Sequence, residues 1–390
     1  MVNYALASNT WDNSEIEAID RVISSNQYTM GREVSEFEDQ FAAQLSIKHA
    51  IMVNSGSSAN LIACSALLNS ERYRKGVVLV PAVSWSTTYF PLHQCGYKLR
   101  FIDIDPLTLN INSDLIEDSI DEDVVGICGV SLLGNPAGMD KISEIADRRK
   151  LFFYEDNCES FGALIGSKYA GTFGTITSHS FFFSHHLQTM EGGMVCTNDD
   201  RLAMIARSLR AHGWTRDKKS GDLSSDAVDD FHKSFEFVMP GYCVRPIEFM
   251  GAVGKEQLRK WPNMMGERRN NAAAFKRLMT KYSDIIRTQD EGQSTSSWFG
   301  FAMTLINAAS GKRESLIQFF KKYEIEYRPI VAGNFTRQEV IRHINCEPPK
   351  HYPVADSIHF DGIFVGNDSR QLNKELAFLD LALSDFKASI

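Results

Sequence analysis

The chain has no cluster of cysteines; those it has are scattered. Its seven cysteines are an odd number, and no two lie closer than 30 positions. That excludes a Cys-x-x-Cys metal knuckle and argues against a disulfide framework. They read as buried thiols of a reducing cytoplasm, the expected location. Neither half carries a basic run and the formal net charge is −8, so nucleic acid is not an expected partner. No uninterrupted apolar stretch approaches the ~20 residues of a membrane helix, which removes the membrane from the expected partners. The start, Met1-Val2-Asn3-Tyr4-Ala5, lacks the basic region and apolar core of a signal peptide. A further absence is local: no lysine lies between Lys168 and Lys218.

What remains is ordinary for a globular protein. Apolar residues make up 43% and charged residues 23% of 390 positions, enough for a large core and roughly two or three domains. From about residue 13 to 250, short apolar runs alternate with amphipathic stretches. Val77–Val80 (closed by Pro81), Leu99–Ile104, Val124–Val130 and Leu151–Tyr154 read as strands, and Leu115–Ile120 and Met139–Arg149 as helices. The alternation predicts parallel strands joined by crossover helices. Apolar runs without strict alternation fit strands covered on both faces. After Trp261-Pro262 the texture changes, with a charged helix over Glu267–Tyr282 and a polar turn over Gly292–Ser297. A strand over Trp298–Leu305 and helices over Arg313–Tyr323 and Gln371–Leu383 follow. The expected architecture is α/β: an N-terminal segment and large domain over 1–250, and a smaller C-terminal α/β domain over 251–390.

Several residues could carry chemistry, each with a plainer alternative. Asn54–Asn60 precedes an apolar helix. Gly56 and Ser57 could cradle a phosphate on free helix amides, or the serines could only cap the helix. Asp156 follows a strand, where open α/β sheets bind ligands, yet Asp156-x-x-Glu159 is also a capping box. Trp85 could stack on an aromatic ligand or belong to the core or an interface. His185 and His186 have no third ligand at a recognisable spacing, so metal is not expected. An imidazole suits proton transfer at neutral pH, although a lone histidine is more often structural. Arg210–Arg216 could meet an anionic substrate, or end a helix with Gly213 as its cap.

The order of these signals is less ambiguous than any one of them. Gly56-Ser57, Trp85, Asp156, Ser180 and position 185 together resemble the nucleotide-sugar aminotransferases of the aspartate aminotransferase fold (fold type I). In that family a lysine stands at the position that counting back six from Glu191-Gly192-Gly193 places on His185. The closer resemblance is to the family's lysine-less dehydratase branch of the colitose (O-antigen lipopolysaccharide) pathway. It is carried over essentially the whole chain by Leu6–Asp12, Pro81–Thr88, Leu132–Pro136, Glu155–Ser160, Ser184-His185-His186, Arg210–Arg216, Ser296–Phe301 and Arg328–Val331.

The resemblance implies a large domain with a mostly parallel mixed sheet. It implies pyridoxal or pyridoxamine 5′-phosphate held without a covalent bond to lysine. Gly56, Ser57, Trp85, Asp156, Glu159, Ser180, His185 and Cys243 would bind this cofactor. Asp156 would keep the ring nitrogen protonated, and His185 would act as base and then acid. Ser184, His212 and Glu326 would stand near the reacting atoms, and His212, Arg216 and Arg328 would bind the substrate. The implied reaction removes the C-3 hydroxyl of a nucleotide-linked 4-keto-6-deoxyhexose, with GDP-4-keto-6-deoxymannose the expected substrate. L-Glutamate would restore the amine, in a homodimer with sites at the subunit interface. One departure stands out: the family usually has asparagine where this chain has Cys243, and that asparagine reaches the neighbouring subunit's cofactor phosphate. A CDP- or dTDP-linked substrate, or an inactive binding protein of the same fold, are the alternatives.

Overall fold

Six parallel strands and one antiparallel strand make the central sheet. The order is His49–Val53, Gly193–Thr197, Ile176–Ser180, Phe152–Asp156, Val124–Val130, Val77–Pro81, Lys98–Ile102, and only Gly193–Thr197 runs against its neighbours. The computed structural model describes residues 3–215, 232 and 235–390. The inner strands are covered on both faces, which is why they read as unbroken apolar runs. Val78, Val80, Phe152 and Tyr154 pack into one core, while Val77, Leu79 and Phe153 pack into a second across the sheet.

Met139–Arg149 is a helix as its spacing predicts. Its buried stripe is Met139, Ile142, Ile145 and Ala146, and Arg148 and Arg149 lie at its C-terminal, negative end. The helix expected over Leu115–Ile120 is a correction. A turn and a single 3-10 turn, Glu117–Ser119, stand there. So short a segment with one buried apolar residue, Ile116, does not repay helix nucleation.

A second correction concerns the helix expected to begin at Glu267. One helix runs unbroken over Glu248–Met279, through Pro262. An interior proline costs about 3 kcal/mol. Here the buried stripe Gln257, Trp261, Met264, Met265, Arg268 continues on both sides of it, and packing of that face outweighs the lost bond. The division expected at residue 250 falls inside this helix.

Beyond it, strands Ile286–Thr288, Gly300–Leu305 and Gly362–Gly366 form an antiparallel sheet. Helices Arg313–Lys322 and Asn373–Ala388 share its core. Tyr4 is buried in the same core, its hydroxyl donating to the Gly366 carbonyl at 2.7 Å. The chain's first described residues thus pack on its last third. Among the described residues, no helix is long and apolar enough to cross a membrane.

Candidate active site

Parallel strands put their C-terminal ends on one edge, and there the loops enclose a cavity of about 790 Å³. Topology alone brings five loops together. They carry Gly56 and Ser57, Trp85, Leu132, Asp156 and Glu159, and Ser180 with Ser184 and His185. The smaller domain adds Phe299, Glu326 and Arg328, and the N-terminal segment adds Leu6 and Ala7. None of the described residues lining the cavity is a lysine.

At one end, Ser55 caps the helix Gly56–Asn69, its hydroxyl accepting the Ser58 amide at 3.1 Å. Capping and anion binding are therefore compatible here. Ser55 serves the third amide, and those of Gly56 and Ser57 lie at the open, positive end of the helix. Glycine is required at 56 because any Cβ would collide with the Ser180 side chain. That close approach puts the Ser180 hydroxyl beside Gly56, at the start of the helix. Trp85 is 57% exposed on the cavity wall, an uncovered ring facing the space.

Asp156 is 4% exposed at the end of its strand. Its Oδ2 accepts from Thr88 Oγ1 at 2.8 Å and Asn60 Nδ2 at 3.1 Å, and Oδ1 accepts the Cys158 amide at 3.2 Å. No helix follows Asp156, so the capping-box alternative is absent. Glu159 accepts the Leu133 amide at 2.9 Å instead, and burial pushes its carboxyl up to about 7. Sequence reasoning gave Thr88 and Asn60 no role. They lie 68 and 96 residues from Asp156, and no local spacing signals that meeting.

The two histidines diverge. His185 is half-buried on the cavity wall, with a buried, unpartnered Nδ1. Burial, then the nearby Arg268 cation, pulls its imidazole down to about 4, so it is a neutral base at pH 7. His186 is 2% exposed, does not line the cavity, and donates from Nε2 to the Ser297 carbonyl at 3.1 Å.

Glu326 is held by the Leu6 amide, which donates to Oε2 at 2.9 Å. Arg328 is exposed on the rim. His212 and Cys243 do not line the chain's own cavity. His212 packs on Trp214 at 5.3 Å between ring centroids, and Cys243 is exposed and pairs with Ala211 across an isolated bridge. Gly213 donates its amide back to Ser208 beyond the helix Asp200–Arg210, as an end cap does. Arg216 lies outside the described residues. All seven cysteines are free.

An α/β sheet with this edge cavity matches a known class. The chain belongs to the DegT/DnrJ/EryC1/StrS aminotransferase family, whose pattern matches residues 9–370. It is 44% identical to the GDP-4-keto-6-deoxy-D-mannose 3-dehydratase of Yersinia pseudotuberculosis, over 96% of this chain and 97% of that one. Among solved structures, it resembles E. coli GDP-4-keto-6-deoxy-D-mannose-3-dehydratase with bound hydrated PLP. That match has a TM-score of 0.93 and 42% identity, and covers 98% and 100% of the two chains. It also resembles a GDP-4-keto-6-deoxymannose-3-dehydratase with a trapped PLP-glutamate geminal diamine, at TM-score 0.92 and 41% identity, covering 97% and 100%.

Proposed function

We propose that this chain removes the C-3 hydroxyl of GDP-4-keto-6-deoxy-D-mannose, giving a 4-keto-3,6-dideoxy sugar, with pyridoxamine phosphate as cofactor and L-glutamate as amine donor. The observation that carries this reading is His185, a neutral imidazole on the cavity wall where aminotransferases of the family hold a lysine. The cavity's residues fit the cofactor. The amides of Gly56 and Ser57 with the Ser180 hydroxyl suit its phosphate, Trp85 offers an open ring face, and Asp156 sits at the base.

When bound, the cofactor supplies an amine for the C-4 ketone and a ring that accepts electrons. Asp156, held by Thr88 and Asn60, keeps the ring nitrogen protonated. His185 takes a proton beside the ring and returns one to the departing C-3 hydroxyl. With its proton affinity lowered by burial, the ring is neutral at pH 7 and open to accept a proton. Ser184 and Glu326 lie close to the reaction and Arg328 meets the substrate. His212 and Arg216 bind the substrate, and Cys243 takes the place of the asparagine that reaches a neighbouring subunit's cofactor phosphate. A cytoplasmic homodimer belongs to this reading. The seven free cysteines and the exposed aromatic rings Phe182, Phe183, Phe235 and Phe237 support it.

A panel of GDP-, CDP-, dTDP- and UDP-linked 4-keto-6-deoxy sugars, each assayed with glutamate, tests the assignment. Release of a 3-deoxy product from the GDP sugar alone is expected. Turnover confined to another nucleotide, or a 4-amino sugar as product, overturns it.

A further inference from the structure

Two segments, Leu132–Pro136 and Ser296–Phe301, have no part in the chemistry above, and they meet. The Ser297 and Phe299 amides donate to the Gly134 and Leu133 carbonyls at 2.8 and 3.0 Å. Each side of this contact holds a bulky residue in the left-handed region, Leu133 at φ 51° and Trp298 at φ 51°. Gly134, at φ 99°, lies against the Trp298 and Phe299 amides, where any Cβ would collide. Large side chains seldom adopt that backbone, and it persists only where the surroundings over-determine it.

The surroundings here are Arg268. It is buried in the long helix, and its Nη1 donates to the Trp298, Asn367 and Phe299 carbonyls at 3.3, 3.2 and 3.5 Å. Asn367 adds a second donor to the Trp298 carbonyl at 2.8 Å. The nearby acid, Asp368, is paired with Arg370 at 2.7 Å. On the cavity side of this bracket stands Phe299, whose ring meets His185 edge-on at 5.2 Å between centroids.

We propose that Arg268 is a positioning residue, which fixes the His185 ring against Phe299 through the paired left-handed turns at Leu133 and Trp298. The same turns reach a second residue of the cavity lining, since the Leu133 amide holds Glu159. Charge follows geometry. Arg268 adds to burial in weakening the proton affinity of His185. The other charged groups on that cavity are Asp156, Glu159, Glu191, Glu326 and Arg328, with His186 behind.

The proposal rests on the assignment of His185 above, so two readouts are kept separate. One is the imidazole titration of His185 in the purified full-length protein, followed by NMR and assigned with His185→Asn. The other is the pH dependence of the glutamate half-reaction, beside the cofactor dissociation constant. Arg268→Met should raise the His185 titration by about one pH unit. It should slow the half-reaction roughly tenfold or more, with cofactor affinity within about threefold of wild type. Arg268→Lys should keep the titration and still lose rate, because the shorter lysine side chain leaves its ammonium one bond short of the Nη1 position that meets all three carbonyls. An unchanged titration and rate in Arg268→Met overturns the proposal, as does cofactor affinity falling in step with rate. If Arg268→Met does not fold, Phe299→Leu must show the rate loss alone, and a wild-type rate there overturns the bracket. A wild type with no half-reaction defeats the assignment of His185, while the titration still decides the bracket.

Discussion

Asp156→Asn exchanges one atom at the centre of the cavity's hydrogen bonding. The amide oxygen can stay where Oδ2 accepts Thr88 and Asn60. Its nitrogen must then take the Oδ1 place, facing the Cys158 amide, and donor meets donor. Loss of that bond lowers stability by about 0.5–1.5 kcal/mol. The functional loss is larger. A carboxylate holds a cationic ring nitrogen at ~4 Å with ~4 kcal/mol at an effective dielectric of ~20, and an amide cannot. That is about a thousandfold in the glutamate half-reaction, at ~1.4 kcal/mol per tenfold. Stopped-flow absorbance with excess cofactor reads the rate, and urea unfolding reads stability. A near-wild-type melt with full turnover would refute the reasoning and leave Asp156 as a hub that only joins Thr88, Asn60 and Cys158.

His185→Asn should bind cofactor and abolish both half-reactions, whereas His186→Asn should retain measurable turnover at some loss of stability. The opposite result, scored by glutamate conversion to 2-oxoglutarate, moves the chemistry to His186. Cys243→Asn should tighten cofactor binding by about 1 kcal/mol if one neutral hydrogen bond is gained across the subunit boundary, and an unchanged dissociation constant by equilibrium dialysis contradicts this. Acid should destabilise the fold through His179, which burial between Phe41 and Phe161 pulls down to about 3. Below pH ~6.5 the unfolded chain takes a proton that the folded chain refuses. Stability then falls by up to ~1.4 kcal/mol per pH unit until about pH 3. His179→Gln should reduce that slope between pH 6 and 4.5 in urea melts, leaving what the buried His185 and His186 contribute, and equal slopes would exclude His179 as a source.

Much of this molecule is legible without coordinates where the signal is periodic. Met139–Arg149 shows a helical stripe, and Val124–Val130 shows a run too apolar to have a wet face. The long helix is not legible, because Pro262 is a local stop signal and only packing on both sides of it overrides the stop. The short acidic stretch Leu115–Ile120 errs the other way, with a suggestive pattern and too few residues to nucleate.

At the site the division is similar. That a histidine and no lysine stands near position 185 is readable along the chain, since counting from Glu191-Gly192-Gly193 needs no coordinates. So is the alternation that implies an open parallel sheet, and hence an edge where Gly56, Trp85, Asp156 and Ser180 could converge. Folding in three dimensions turns His185 to the cavity and His186 to the Ser297 carbonyl. Folding also joins Thr88 and Asn60 to Asp156 and sets Arg268 behind Trp298. Spacing along a chain encodes which face of a helix or strand a residue takes. Hydrogen bonds between residues 68 or 96 positions apart depend on how the elements are laid side by side, which burial and packing settle collectively.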